Sequence, residues 1–301
     1  MDPASPRHHL RFLRWDGIPP YALKKMDILN SFLRLTGVEM RKFWGKPVAR
    51  AVLALMLIGP AAGEGFLLLA DRDSAVFPKV TTLMFIGEVL LLFTLTTVVV
   101  AVLALGNDYE LGTVRAILSR GIPRHQFLLA KVAATVVAAL ANGLAYMASG
   151  VLAASLAHLA YSDVPLAEAA GANLVWRALG VVLVLGLTGF IAAGVVMLAL
   201  VLGRSSWIGM LAGLGGFLGD FVVGGLRVVQ SAAYRYTVSY HALSLLERCF
   251  PTDPRLRMSG AWTPVEPASP ARAIAVLLLY GCAITLAAIF LFRRQDLMGK
   301  G

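Results

Sequence analysis

The sequence predicts an all-α polytopic membrane protein with six transmembrane helices, an N-terminal amphipathic interfacial helix and a cytoplasmic helix between spans two and three. Hydrophobic residues make up 58% of the 301 residues, charged residues make up 15%, and the mean hydropathy is +0.75. Too few polar side chains are present to cover a soluble globule of this length. The apolar residues also form continuous runs of the ~20 residues that a membrane-spanning helix needs.

Six apolar runs have the length of a membrane span. They cover residues 51–70, 80–105, 132–157, 178–202, 207–226 and 273–292. The second and third runs are longer than the hydrocarbon is thick, so we expect these helices to tilt or to extend beyond the bilayer. Transmembrane strands do not fit, because the runs show no period-two alternation. The chain thus divides into a leader over 1–50 and a transmembrane domain over 51–301, with a long outer loop over 227–272.

The leader contains one segment, about 28–45, with the periodicity of a helix. Its apolar and aromatic residues fall near one helical face and its basic residues lie mostly off that face; the apolar set is Leu29, Phe32, Leu33, Met40, Phe43 and Trp44. Such a pattern is typical of a helix that lies in the membrane interface. We therefore expect an amphipathic helix on the inner leaflet, before the first span.

A polar segment over 107–121 separates spans two and three and carries its own helix signals. Asn107 and Glu110 have the spacing of a capping box, in which the two side chains accept backbone N–H groups of the first turn. Gly121 stands where a left-handed residue would end the helix, and Pro123 prevents its continuation. The pattern predicts one rigid helix over 107–121 that a soluble partner can reach.

Basic residues are unevenly divided between the two sides that six spans create. With the N-terminus inside, the inner side holds the leader, the 107–121 segment, the turn at 203–206 and the tail after Phe292, and with them most of the 27 Lys and Arg residues. The positive-inside rule favours this orientation, which makes both termini cytoplasmic. The net charge of +10 is then explained by orientation and by anionic lipid. No basic module with interleaved aromatics points to nucleic acid.

The order of these elements resembles the permease subunit of ATP-binding-cassette (ABC) transporters of the type-2 (exporter) class. The resemblance rests on a Glu-x-Gly-Thr motif, a Pro-Arg turn, a lysine that opens span three, and the C-terminal edge; these are Glu110, Gly112, Thr113, Pro123, Arg124, Lys131 and Phe292–Leu297. Six spans with a long outer loop before the last one complete the pattern, so the likeness extends over the whole chain.

The resemblance implies a transport subunit, not an enzyme, that works with a separate ATPase. The chain lacks a phosphate loop, because Gly45-Lys46 is followed by Pro47 and the first glycine is missing. ATP and Mg are therefore expected in the partner. The expected partners are two copies of a cytoplasmic ABC ATPase, a second permease copy (homodimer or heterodimer) and the bilayer of a prokaryotic plasma (inner) membrane. The docking residues implied on and after the coupling helix are Glu110, Gly112, Thr113, Arg115, Arg120 and Arg124.

Three acids and one amide fall inside predicted spans, where polar side chains usually face protein or water. They are Glu64, Glu88, Asp220 and Asn142. One interpretation is a translocation path, with the acids lining an outer vestibule for a cationic or polar substrate. The other is structural: the acids pair with arginines or bond to neighbouring helices, and Asn142 makes an interhelical hydrogen bond. The structural interpretation is favoured.

Span five is rich in glycine. Gly209 and Gly213, and again Gly215 and Gly219, have the small-xxx-small spacing that lets two helix backbones approach closely. A dimer interface or a sliding pore helix would use such a face, and so would packing within one subunit. The sequence does not separate these possibilities.

Two other function classes stay open at this point. A permease-like subunit would relay ATPase motion to an extracytoplasmic assembly machine without transport. A membrane-embedded transferase would need a constellation near one interface, for which His158 and Asp163 are the nearest candidates. No catalytic residue is assigned, and no ligand spacing predicts a metal site.

Overall fold

A computed structural model describes residues 28–70, 93–162, 165, 174–225, 232–249 and 267–295. All regular structure in these ranges is helical, which confirms that the fold is all-α. The helices are α1 (Ile28–Trp44), α2 (Pro47–Ala70), α3 (Phe93–Glu110), α4 (Thr113–Leu118), α5 (Arg124–Tyr161), α6 (Leu174–Gly203), α7 (Ser206–Gly225), α8 (Val238–Cys249) and α9 (Pro270–Arg294). A short 3-10 helix over Ala232–Tyr236 precedes α8.

Within the described ranges, three helices are long and apolar enough to cross a membrane. They are α5, α6 and α9, and the bent pair α1–α2 raises the number to four if it counts as one span. With 38 residues, α5 is ~57 Å long, about twice the hydrocarbon thickness, so it must tilt or extend beyond the bilayer. The first part of the predicted second span, 80–92, lies outside the described residues.

The leader helix α1 meets α2 at a sharp angle. The bend between Phe32–Trp44 and Pro47–Gly63 is 79°, so the two helices run in nearly perpendicular directions. The apolar side chains of α1 differ in how much of their surface is buried. Phe43 is buried against Ala49, Val100 and Ala138, whereas Leu33 is 56% exposed. The leader helix is therefore partly packed against the protein.

Helix α6 lies at the centre of the fold and contributes to two core clusters. One half, with Val181, Val184 and Leu185, packs against α8 and α9, including Leu246 and Leu277. The other half, with Val196, Met197 and Leu200, packs against α3 and α5 and the end of α9, including Leu105, Phe127 and Phe292. Most of α6 is buried against these helices, while Leu179, Leu183 and Leu202 remain exposed on its outer face.

The prediction of a single helix over 107–121 is wrong. Asn107 does not begin a helix, since its carbonyl accepts the N–H of Leu111 at 2.9 Å and α3 continues to Glu110. The chain then turns at Gly112, which has φ +66°, and resumes as the short helix α4. The predicted left-handed Gly121 is confirmed, with φ +84°. The polar segment is therefore a corner between two helices, not one continuous helix.

Candidate functional site at the α3–α4 corner

The corner is held by a contact between the end of α3 and the start of α4. Thr113 Oγ1 donates to Asp108 Oδ1 at 2.9 Å and lies 3.3 Å from the Asp108 carbonyl oxygen. Gly112 supplies the left-handed backbone between them, a conformation that side chains with a Cβ rarely adopt. Two members of the Glu-x-Gly-Thr motif thus have direct geometric roles: the glycine makes the turn and the threonine anchors it.

Helix α4 has an inner and an outer side. Val114 is 3% exposed and packs in the core cluster that includes Leu105 and Phe127. Arg115 and Arg120 are exposed, and Leu111 just before the helix is 74% exposed. An exposed leucine next to exposed arginines offers a partner both apolar area and charge, while Val114 fixes the helix to the fold beneath.

A buried lysine lies directly behind this corner. Lys131 of α5 is fully buried, and its Nζ donates to Glu39 Oε2 at 2.5 Å and to the Ala104 carbonyl at 2.7 Å. The same Nζ is 2.5 Å from Asp108 Oδ2. One ammonium therefore joins the leader helix, α3 and α5, and Asp108 extends the connection to Thr113 of α4. We call Glu39, Lys42, Lys46, Asp108 and Lys131 the Lys131 cluster.

Two further lysines complete the cluster. Lys42 Nζ lies 2.9 Å from Glu39 Oε1, and Lys46 donates to the carbonyl of Leu103. Burial and the positive charge of Lys131 lower the pKa of Lys46. Burial alone would raise the pKa of Asp108, but the charge and hydrogen bond of Lys131, together with Lys42 and Thr113, hold it below its ordinary value. Asp108 is therefore an ionised partner at neutral pH.

Arg124, at the start of α5, is bound to the other end of the chain. Its Nη1 donates to the carbonyl oxygens of Arg293 at 2.9 Å and Gln295 at 2.7 Å, and lies 3.3 Å from that of Phe292. A guanidinium so placed satisfies carbonyls that the last turn of a helix leaves unpaired. Arg124 therefore caps α9, and the Pro-Arg turn and the C-terminal edge, far apart in sequence, form one contact.

Consecutive residues at the end of α3 point to different parts of the fold. Asp108 belongs to the Lys131 cluster, whereas the Tyr109 ring packs edge-on against Phe292 with centroids 6.5 Å apart. The Tyr109 hydroxyl lies 3.5 Å from Gln295 Oε1, and Gln295 also donates to the Val201 carbonyl of α6. The end of α3 is thus fixed on two sides, toward α1 and α5 and toward α6 and α9.

A protein-family model described as ABC-2 family transporter protein matches residues 37–219, which is more than half of the chain. The matched range includes Glu39, the whole α3–α4 corner and Lys131. The chain belongs to the ABC-2 transporter family. It is therefore a membrane-spanning permease subunit of an ABC transporter, and its part in the system is transport. The comparison with curated proteins gave no match.

In this ABC-2 permease, sequence reasoning identified Lys131 and the corner motif but missed the partners that explain them. Glu39 was not singled out, and it lies 92 residues from Lys131 in the chain. A signal was present, since Glu39 is an acid on the otherwise basic and apolar segment 28–45. Asp108 stands next to the motif, and its spacing to Thr113 is too long for a contact within one helix.

The four polar residues inside predicted spans have different surroundings. Asp220 accepts hydrogen bonds from the backbone N–H groups of Val238 at 2.7 Å and Ser239 at 2.9 Å, and from the Ser239 hydroxyl. It therefore caps the N-terminus of α8 from a neighbouring helix, one of the two roles weighed for it. Glu64 lies in α2, but its side chain is outside the described set, as is the whole of Glu88.

Asn142 of α5 is fully buried, and the expected interhelical hydrogen bond is absent from its described contacts. Its Nδ2 donates to the Ala138 carbonyl of its own helix at 3.0 Å. Its Oδ1 accepts no hydrogen bond from the described residues. Among the described residues the only bond found for Asn142 is within its own helix, so the expected bond between helices stays a prediction.

The glycines of α7 divide into two pairs. A Cβ on Gly209 would lie 2.6 Å from Leu200 side-chain atoms, and a Cβ on Gly213 would lie 2.7 Å from Val196 and 2.8 Å from Val98. These two glycines allow close packing against α6 and α3 within one subunit. A Cβ on Gly215 or Gly219 would meet nothing within 4 Å. Only the first pair is explained by packing among the described residues.

His158 and Asp163 were the residues considered for other chemistry. His158 of α5 is buried, and Asp163 lies outside the described residues. Within the described ranges, no group of three or more His, Cys, Asp or Glu side chains is arranged to hold a metal ion.

Proposed function

We propose that the α3–α4 corner is the docking site of the cytoplasmic ATPase and that the chain is the permease of an exporter. The partner would bind ATP and Mg, and two ATPase copies would act on two permease copies, as a homodimer or a heterodimer. ATP-driven closure of the ATPase pair would push α4, and the spans would then change between inward and outward access. The alternative is a subunit that relays ATPase motion to an extracytoplasmic machine without transport. A measurement of transport in vesicles that contain both subunits would distinguish the two.

The observation that carries this proposal is the placement of the corner. The corner exposes Leu111 before α4, Arg115 on α4 and Arg120 after it, while Val114 of α4 packs into the core. A force applied to the exposed side is passed to α3 and α5 through Val114 and through the Thr113–Asp108 contact. A turn whose only task was to reverse the chain would need neither the exposed arginines nor this anchoring.

The Lys131 cluster supports a second step, from the corner to the leader helix. Lys131 binds Asp108 and Glu39 at 2.5 Å each, so α3 and α1 cannot separate without breaking a buried ion pair. Breaking such a pair is strongly unfavourable, because a charge is left buried without a partner. In our proposal α1, the corner and the first part of α5 therefore move as one unit when the ATPase closes, and this unit is the two-state element that coupling requires.

The topology we propose has six spans with both termini in the cytoplasm, in the plasma (inner) membrane of a prokaryote. The corner, the Lys131 cluster and the Arg124 contact would then all lie at the cytoplasmic side. The positive-inside rule supports this orientation, since the same side receives most of the basic residues. For the translocation path we retain Glu64, Glu88 and Asn142 as candidates. The buried Oδ1 of Asn142, which accepts no hydrogen bond from the described residues, supports its inclusion.

Reversal of the two exposed arginines tests the docking site. We expect Arg115→Glu with Arg120→Glu to reduce co-purification of the ATPase about tenfold or more. In the proposed interface the two arginines face complementary charges of the partner, which the introduced glutamates would repel. The measurement is the amount of ATPase retained by the permease in mild detergent. The amount of permease in the membrane fraction should stay unchanged, since both side chains lie outside the spans.

The control reverses two exposed arginines elsewhere, Arg41→Glu with Arg293→Glu, and so makes the same change in net charge. This control variant should retain the ATPase. Full retention by the Arg115/Arg120 variant would remove the docking role from α4, and equal loss in both variants would show a general charge effect instead.

A further inference from the structure

A partly enclosed cavity of about 190 Å³ lies among α3, α6, α7, α8 and α9, away from the α3–α4 corner. Helix α7 contributes Gly216, Phe217 and Asp220 to its wall, α6 contributes Val195, and α8 and α9 contribute Ser239 and Tyr280. Gly216 is exposed, so the cavity is open beside α7. It is formed within one subunit, by residues that all belong to the described part of the chain.

The polar groups of this cavity already have partners in the protein. Asp220 accepts three hydrogen bonds from the first residues of α8. The Tyr280 hydroxyl donates to the Tyr236 carbonyl at 3.0 Å, and the Thr188 hydroxyl donates to the Val184 carbonyl at 2.9 Å. A strongly polar ligand would lose its hydration and find few free groups, which is unfavourable. The rest of the wall is aliphatic or aromatic, so an apolar occupant suits it.

The size of the cavity and its surroundings further restrict the class of ligand that it can bind. An apolar cavity of ~150 Å³ in another protein stays dry and takes up benzene, so this cavity is large enough for one hydrocarbon ring or a short length of acyl chain. Helices α6 and α9 are both apolar enough to cross a membrane. In a bilayer, the outward faces of two such helices contact lipid hydrocarbon, a source of apolar groups close to the cavity.

We propose that this cavity is a binding site for an apolar group, entered beside Gly216. The group is either the acyl chain of a bilayer lipid or the hydrophobic part of a transported compound; both sources supply the same chemistry. The proposal does not depend on ATPase docking at α4. It changes the interpretation of Asp220, because a carboxylate already occupied by α8 lines the site without serving as the counter-ion of a cationic substrate.

Two neighbouring glycines provide a matched pair of variants. A Cβ on Gly216 would have one neighbour, Val195 Cγ1 at 3.7 Å, so a larger side chain can be built there at the mouth of the cavity. A Cβ on Gly215 would meet nothing within 4 Å, and Gly215 does not line the cavity. Leucine is a better helix former than glycine at either position, so neither variant should weaken the helix itself.

The experiment uses the full chain in nanodiscs that contain a phosphatidylcholine with a diazirine in its acyl chain. After illumination, we expect labelled peptides around Phe217, and we expect Gly216→Leu to reduce this labelling about fivefold or more. Gly215→Leu should label like the parent protein. Equal labelling in the Gly216 variant, or equal loss in both variants, would overturn the proposal. Thermal unfolding and ATPase co-purification of each variant show whether a loss comes from misfolding.

Addition of ATP and the partner ATPase distinguishes the two sources. For a transported molecule, we expect the labelling around Phe217 to fall when ATP is hydrolysed, because occupancy then changes with the cycle. For a bilayer lipid held as part of the structure, labelling should not respond to ATP. Both results support an apolar site. Labelling that is spread evenly over the outer surfaces of α7 and α9 would contradict it.

Discussion

Asp108 and Asp220 are both carboxylates in long apolar helices, and the fold stabilises them in different ways. Asp108 is paired with the ammonium of Lys131, 2.5 Å away, and with the Thr113 hydroxyl. Asp220 instead accepts hydrogen bonds from two backbone N–H groups and a hydroxyl at the start of α8. One acid is balanced by a side-chain charge, and the other by the N-terminus of a helix.

The difference lies in what each arrangement can transmit. Lys131 of α5 contacts Glu39 of α1 and Asp108 of α3 through its Nζ. A displacement of α3 therefore either moves α1 and α5 with it or breaks these contacts. A helix N-terminus carries a partial positive charge from its unpaired N–H groups, which fixes α8 against α7 but links only those two elements. The Asp108 region is thus built to connect, and the Asp220 region is built to hold one helix over the cavity.

The largest expected effect comes from removing the cation of the first region. Lys131→Met leaves Glu39 and Asp108 close together without their common partner, and we expect the free energy of unfolding to fall by about 3–5 kcal/mol. The measurement is unfolding in mixed micelles. The triple variant Glu39→Gln, Asp108→Asn, Lys131→Met removes all three charges and should recover much of the loss.

The same pair of variants separates stability from coupling. If the Lys131 cluster transmits motion, the triple variant should fold and retain the ATPase, yet its transport should no longer be coupled to ATP hydrolysis. Full transport by the triple variant would limit the cluster to a structural role and leave Val114 as the path from α4 to the core.

A smaller effect is expected in the second region. Asp220→Ala removes the acceptor for the first N–H groups of α8, and loss of such a cap lowers the free energy of unfolding by about 1–2 kcal/mol. Asp220→Asn keeps one acceptor oxygen and should lose less. Amide hydrogen exchange at Val238 and Ser239 measures the effect locally. If Asn were as damaging as Ala, the charge and not the hydrogen bonds would be the stabilising factor.

The smallest effect is a dependence on pH. Because the folded state lowers the pKa of Asp108 below its ordinary value of 3.8, the unfolded chain takes up the proton first as the pH falls. The stabilisation is complete at neutral pH and is lost as the pH falls through that value toward the lowered one. The difference in unfolding free energy between the parent and Asp108→Asn should therefore stay constant above about pH 5 and shrink progressively as the pH falls below it. A difference that stays constant over the whole range would show that Asp108 is not stabilised as a carboxylate.

Local signals in the sequence predicted much of the corner. Gly121 was placed by its position between a helix and Pro123, and it has the left-handed backbone expected there. The capping box at Asn107 failed for a reason that is also physical. Asn107 already lies inside α3, which runs from Phe93 to Glu110, so its side chain does not begin a new helix, and the left-handed Gly112 separates α3 from α4.

The contacts that give the site its properties could not be predicted in this way. Lys131 binds Glu39 across 92 residues of sequence, and Arg124 binds the Gln295 carbonyl across 171. No periodicity carries such information, because the partner is chosen by how the helices pack. The long apolar helices were predictable from their continuous apolar runs, whereas the pairing of their few charges depends on tertiary structure.

The different directions of Asp108 and Tyr109 restrict how the gene can vary. Successive residues of an α-helix are turned by about 100°, so a single-residue insertion or deletion between Leu105 and Asp108 would turn both side chains away from their partners at once. Substitutions in this stretch can be compensated one at a time, but a change of length cannot. The end of α3 should therefore tolerate sequence drift while keeping its length, and this spacing is a mark by which related chains can be aligned.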